Sequence, residues 1–320
     1  MSTQGLIDFH AHFTTAHYIE AAKAGGHVRP DGMPEDYWPQ WTAEAHLALM
    51  DEAGIAKAML SLSSPGTHFG DDAAARCLAR AVNEFCAEEV RRHPDRFGQF
   101  ATLPLPDVDG ALAETAYCFD ELGAEGVALL SNHAGIRLAD ERLTPVLAEL
   151  DRRAAIVLLH PTTCPGHEEL SSGRPQPMIE FLFETARTVI DFILSGAAAK
   201  FPRIRLIVPH LGGVLPLLTE RVEAFRTISG EPADRATVGD ILGRFYYDLA
   251  GMPSKQQIAA LTGIAGPERL LYGSDYAWTQ HDLALHLLTS LDAALADAHR
   301  DWRTLTTRNA DLLLGQQPER

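Results

Sequence analysis

Two histidines stand two residues apart near the start of the chain, in Asp8-Phe9-His10-Ala11-His12. On a strand, side chains at i and i+2 share one face, so both imidazoles can approach one cation from the same side. Alone, the pattern fits a pair of surface or core histidines just as well. Three further residues of the right chemistry close apolar runs: His160 ends IVLLH, His210 ends LIVPH, and Asp275 follows LLYGS. If those runs are strands of one parallel barrel, their ends converge on one mouth, and four histidines and one aspartate meet there. Three neutral imidazole nitrogens and a carboxylate suit a divalent transition metal, Zn²⁺ first and Mn²⁺ second. Burying that many polar groups without a cation would leave them poorly satisfied.

The elements that must position these residues can be read from the same rows. Short apolar runs at 6–9, 56–62, 98–103, 126–130, 155–159, 204–208, 245–250 and 269–273 read as strands. Helical stretches fall near 42–53, 71–92, 109–122, 141–153, 178–199, 214–228 and 254–264, then 282–296 and 301–314. Strands alternating with helices pair in parallel through crossovers, and nearly continuous apolar strands are buried on both faces. Eight such units predict a single (β/α)8 TIM barrel of the α/β class over residues 1–320, with no separate domain before the first strand. Two long connections, 14–41 and 161–177, are predicted on the C-terminal face, where such barrels keep their active sites. Residues 229–240 read as a plain surface loop.

Composition narrows the function classes. The chain has 320 residues, 46% of them hydrophobic, and a formal net charge of −16. That charge argues against nucleic acid and anionic membranes, which are gripped by clustered cations. An anionic substrate would need a local cation, because the field of the whole molecule repels it. No apolar run reaches the roughly 18 residues of a membrane span, and the N-terminus lacks the basic and apolar regions of a signal peptide, so a cytoplasmic protein is expected. Cys77, Cys86, Cys118 and Cys164 form no C-x-x-C pair. Three of them lie in helical stretches and read as buried, inert thiols.

With those residues in view, the chain resembles the amidohydrolase superfamily: H-x-H after strand 1, histidines after strands 5 and 6, and G-S-D after strand 8. The stretches GTHFGDDAAARCLARAVNEF, HPDRFGQFATLPLPD, PMIEFLFETARTVIDFILSG and PHLGGVLPLLTERV narrow the resemblance. They are similar to the branch of aminocarboxymuconate semialdehyde, γ-resorcylate and 6-methylsalicylate decarboxylases. SLSSPG, FATLPLPDV and the HPTT loop bring it nearest the last. The resemblance implies a metal held by His10, His12, His160 and Asp275, with His210 as acid–base histidine near it. The alternative for His210 is a structural histidine under the Gly212-Gly213 turn. Binuclear relatives bridge two metals with a carboxylated lysine, but Lys23, Lys57, Lys200 and Lys255 all miss the strand ends, so a mononuclear site is expected.

The implied reaction is non-oxidative decarboxylation of a small aromatic, salicylate-like, or dienoic carboxylic acid. The alternatives are a lactone or amide hydrolase using the same ligands, and an inactive binding protein on the same barrel. In this branch the arginine matching Arg221 reaches a neighbouring subunit's site, which implies a homodimer. Otherwise Arg221 is a solvated helix arginine. Arg187 is a second candidate cation for the substrate carboxylate, and Asn132 and Trp278 are candidate substrate contacts. Ser64, His133 and Tyr276 are weaker mouth residues. His17, His27, His46, His68, His93, His281, His286 and His299 have no partner pattern and read as surface histidines.

Overall fold

The structure, a computed structural model, describes residues 5–232, 234–296 and 301–315. Eight strands line up in chain order: β1 (Leu6–His12), β2 (Ile55–Ser61), β3 (Phe97–Thr102), β4 (Gly126–Leu130), β5 (Ile156–His160), β6 (Arg205–Val208), β7 (Tyr246–Asp248) and β8 (Leu270–Leu271). Every neighbouring pair is parallel. Closure comes from parallel bridges of Asp8 with Tyr272 and of Ala11 with Tyr276. The Phe9 amide donates to the Tyr272 carbonyl at 2.9 Å. The predicted (β/α)8 barrel is the observed fold.

Helices follow the strands, as parallel pairing requires. Helix Ala43–Ala53 shows the local logic. The Thr42 side chain accepts the Ala45 amide at its start, and Gly54, in the left-handed region at φ 72°, ends it and turns the chain into β2. Between strands and helices lies a large apolar layer that includes Leu60, Val127, Leu159 and Val208. A second, smaller cluster fills the barrel with Ile7, Phe9, Met59, Phe100, Ala128, Ile156, Leu158, Ile207 and Leu271. Ala310 and Leu313 of helix Trp302–Leu313 join this inner cluster. Each large side chain buried there contributes about 1.5–3 kcal/mol.

The inner cluster also sets the direction of the site residues. In β5, Ile156 and Leu158 point inward, and His160 shares their parity. In β7, Tyr246 packs on the inner cluster and Asp248 is two residues on. β1 breaks the rule usefully. Between Asp8 and Ala11 it carries one more residue than β2 does between Ala58 and Leu60. That bulge lets inward-packed Phe9 be followed directly by His10 at the mouth.

Several expectations need correcting. Segment 14–41 holds a helix, Ala16–Ala24, capped by Thr15, and 3-10 turns at Pro30–Gly32 and Glu35–Tyr37. The helix expected over 109–122 runs as α only to Tyr117 and widens into a π turn at Cys118–Leu122. The 229–240 loop leads into a short helix, Val238–Leu242, started by a Thr237/Asp240 capping box. Cys77 is exposed, whereas Cys86 and Cys118 are buried as expected. Among the described residues no helix is long and apolar enough to cross a membrane.

Candidate metal centre

Four donor atoms, one each from His10, His12, His160 and Asp275, lie within 4.8 Å of one another at the strand ends. His10 Nε2 and His12 Nε2 stand 3.5 and 3.3 Å from Asp275 Oδ1. A tetrahedral shell with bonds of about 2.1 Å places neighbouring donors roughly 3.4 Å apart, so this spacing suits one divalent ion. The outer ring nitrogens are already engaged. His10 Nδ1 bonds Asp248 Oδ2 at 2.8 Å, His12 Nδ1 meets Ser61 Oγ at 3.0 Å, and His160 Nδ1 donates to the Pro161 carbonyl at 2.7 Å. His10 Nε2 and His12 Nε2 are buried without a hydrogen-bond partner, which is the sign of donors built for a cation.

Close backbone approach makes the cluster. A Cβ on Gly273 would lie 2.7 Å from His10 Cβ and 3.2 Å from Asp248 Cβ, so only glycine lets the chain after β8 lie against β1. Asp275 (φ 59°) and His210 (φ 54°) both occupy the left-handed region. Such conformations cost roughly 1–3 kcal/mol each and persist where the surroundings hold them. The Asp275 amide donates to the His10 carbonyl at 2.8 Å, and the His210 amide donates to Asp248 Oδ1 at 2.9 Å.

Electrostatics sort the ligands. Burial pushes His12 down, and burial with neighbouring imidazoles holds His160 well below its usual value, so both are neutral donors. Burial alone would lower His10 too, but the Asp248 carboxylate outweighs it and raises the ring to about 9. Burial works to raise Asp275, yet the His12, His210 and His10 imidazoles beside it hold it well below the carboxylate range. His210 Nε2 lies 3.7 Å from Asp275 Oδ2, and its ring centroid is 4.9 Å from that of His10. It therefore sits at the edge of the cluster, beside the aspartate.

A pocket of about 260 Å³ opens over the cluster. His160, His210 and Asp275 form its floor, with Phe181, Tyr37 and Trp278 among its walls. The Trp278 indole donates to Ser63 Oγ at 2.6 Å and packs 5.5 Å from the Trp38 ring. Asn132 lines the adjoining cavity over β2–β4 instead, where its amide group donates to the Thr163 carbonyl and Glu184. Arg187, half-exposed, is paired with buried Glu184 at 3.4 Å. Arg221 lies on helix Leu215–Ile228, its guanidinium 5.3 Å from the Phe225 ring. Neither arginine lines the pocket, and no lysine or arginine does among the described residues.

Sequence reasoning missed Asp248, Asp8 and Asp31. Asp248 orients His10 and anchors the His210 backbone. Asp8 accepts the His10 and Ser274 amides through Oδ1, and burial pushes it up to about 7. Both are acids inside otherwise apolar strands, and that was the available signal. Asp31 carries no such signal and reaches the pocket only through the fold of a long connection. His46 is a correction: it is wholly buried, accepts the Trp41 indole N–H, and packs 4.7 Å from the Tyr276 ring, with burial pushing it down to about 3. His133 is buried as well, and His299 lies outside the described residues.

A closed parallel barrel with imidazoles and one aspartate at its C-terminal mouth defines a metallo-barrel of the amidohydrolase kind. The chain belongs to the amidohydrolase family, whose model matches residues 7–312. It is 34% identical over 306 residues to the 6-methylsalicylic acid decarboxylase of Aspergillus aculeatus, covering 91% of each chain. It is 28% identical over 326 residues to the γ-resorcylate decarboxylase of Rhodococcus jostii, covering 94% of this chain and 97% of that one. A crystal structure of the dihydroxybenzoic acid decarboxylase of Polaromonas sp. JS666, with bound manganese and 2-nitroresorcinol, shares the fold at a TM-score of 0.82 and 24% identity, over 98% and 97% of the two chains.

Proposed function

We propose that this protein is a mononuclear, metal-dependent, non-oxidative decarboxylase of a small aromatic, salicylate-like, carboxylic acid, with dienoic acids as the second class. The observation that carries the reading is the convergence of three imidazole nitrogens and Asp275 at the floor of a pocket with aromatic walls. His10, His12, His160 and Asp275 would hold the ion, and the unpartnered Nε2 atoms fit that use. When bound, the ion supplies positive charge and Lewis acidity at the carboxylate end of the substrate. Zinc suits the donor set, and manganese is the metal named with the Polaromonas relative.

The residues then divide the work. Asp275 and His210, in contact with each other, form the proton-carrying pair. One of them delivers a proton to the ring carbon that bears the carboxylate. The C–C bond breaks, its electron pair stays with the ring and restores conjugation, and CO₂ leaves. Phe181, Tyr37 and Trp278 supply apolar surface for the ring. Product analysis tests the reading: CO₂ release with no oxygen from solvent water in the organic product supports it, and water incorporation without CO₂ assigns a hydrolase instead.

The assembly proposed is a cytoplasmic homodimer packed through helix Leu215–Ile228, with Arg221 serving the neighbour's pocket. The exposed apolar face of that helix supports it: Leu217 is 78% and Ile228 77% exposed. A face of that kind marks an interaction surface.

A further inference from the structure

Among the described residues, Asp31 is the one carboxylate of the pocket outside the metal cluster. It lies in the connection between β1 and β2, at φ 46° and ψ 36°, and is followed by Gly32, also at positive φ. Asp tolerates that conformation better than most residues, but a non-glycine residue held there is uncommon. Three hydroxyls from two barrel loops fix it. Ser64, after β2, donates to Asp31 Oδ1 at 2.8 Å, and Thr163, after β5, donates to the same oxygen at 2.6 Å. Thr162 braces Ser64 at 2.6 Å. Both hydroxyls bond Oδ1, and no hydroxyl reaches Oδ2. Burial raises this carboxyl, and the Thr163 and Ser64 hydrogen bonds pull it back. Asp31 makes no ion pair with any metal-site histidine among the described residues.

We infer that Asp31 is a specificity-determining residue, whose Oδ2 accepts a hydrogen bond from a hydroxyl or amino group on the substrate ring and turns away a second anionic group. The inference rests on the reading of the pocket as an aromatic-acid site. This chain lends the pocket no lysine or arginine among its described residues, so a fixed carboxylate polarises the ligand: the acid group goes to the cation, and the edge that meets Asp31 carries a donor. A site that buries an acceptor rejects an analogue that cannot satisfy it, because the acceptor then loses water without gaining a partner. The ligand class that results is an aryl monocarboxylate with a ring-borne donor beyond the carboxylate. An aryl dicarboxylate of the same size is excluded by like charge.

Direct binding tests this without turnover. Metal-loaded protein is titrated calorimetrically with 3- and 4-hydroxybenzoate, 3- and 4-methylbenzoate, and isophthalate. Wild type is expected to favour at least one hydroxybenzoate over its methyl counterpart by roughly 10- to 100-fold, the worth of a hydrogen bond to a charged acceptor. Asp31→Ala is expected to bring that ratio within about threefold, while metal content and thermal midpoint stay near wild type. In Asp31→Asn the single oxygen stays with the Ser64 and Thr163 hydroxyls and an uncharged NH₂ replaces Oδ2, so the variant should weaken the hydroxyl preference and admit isophthalate. A ratio unchanged in folded, metal-loaded Asp31→Ala overturns the inference, and so does a wild type that binds none of the acids. The two readings fail separately. Asp31-dependent selectivity with no CO₂ from any acid supports the assignment and removes decarboxylation, while CO₂ release with an unchanged ratio does the reverse.

Discussion

Asp248→Asn should weaken metal binding without unfolding the barrel. In the native site one carboxylate serves three donors: Oδ2 meets His10 Nδ1 at 2.8 Å, and Oδ1 accepts the His210 amide at 2.9 Å and the Ala250 amide at 3.1 Å. An asparagine has only one acceptor atom. If its oxygen stays on the two backbone amides, its NH₂ faces His10 Nδ1, the ring shifts its proton to Nε2, and the ligand nitrogen is lost. If it flips, the NH₂ confronts two amide donors. Loss of an outer partner of a ligating histidine typically costs 10–100-fold in metal affinity, or about 1.4–2.7 kcal/mol. Proton competition acts in the opposite sense. Asp248 raises His10 to about 9, so below that pH a cation must displace a proton, and wild-type affinity climbs as pH rises toward 9. In the variant that raising carboxylate is gone while burial still lowers the ring, so the climb should stop at a lower pH. The assay is competition for Zn²⁺ or Mn²⁺ against a chromophoric chelator across this range. Above pH 9 the full 10–100-fold deficit should appear, shrinking at neutral pH. Superimposable profiles for wild type and variant would refute the reasoning.

Elemental analysis should find one divalent ion per chain, because the described donors make a single cluster; two ions at full occupancy, or none after supplementation, would sink the mononuclear site. Asp275→Ala should lower turnover by about 10²- to 10⁴-fold while three imidazoles retain part of the metal; rate and metal content are measured on one sample, and near-normal turnover removes the aspartate's role. A randomly exchanged equal mixture of Asp275→Ala and Arg221→Ala chains should regain activity at about a quarter of all sites if Arg221 serves the neighbour, since in each mixed dimer two-fold symmetry puts both lesions in one site and none in the other. A mixture that stays dead despite verified subunit exchange places Arg221 outside the partner's site.

The barrel was legible because its period is strong. Apolar runs such as IVLLH and IRLIV, each followed by a helical stretch, leave little choice of topology. The ligands were legible because each closes one of those runs. What escaped had other causes. Asp248 falls inside the expected strand 245–250, and its meaning depends on β7 lying in register beside β6 and across from His10. His46 was taken for a surface residue, because nothing local says that Trp41 and Tyr276 will enclose it. Asn132 lies after the expected strand, yet Gly135 and Thr163 draw its side chain toward the loop. Asp31 was the least accessible, since hydroxyls far from it in sequence, on Ser64 and Thr163, give it its place.

The ligands and the pocket walls belong to different parts of the chain. The donors grow from strand ends, and two of them are locked to other strands through Asp248 and Ser61. The walls come from the connections that hold Pro30–Tyr37, Pro177–Leu182, Gly251–Met252 and Trp278–Leu287. The piece after β1 meets the opposite rim through Asp31 and its hydroxyls and through Tyr37 and Trp38 against Trp278. Such a molecule resembles a tool with a fixed shank and interchangeable bits. Residues 28–38 could be traded as a cassette between related barrels, re-aiming the choice of ring substituent while the ion-holding end stays as it was.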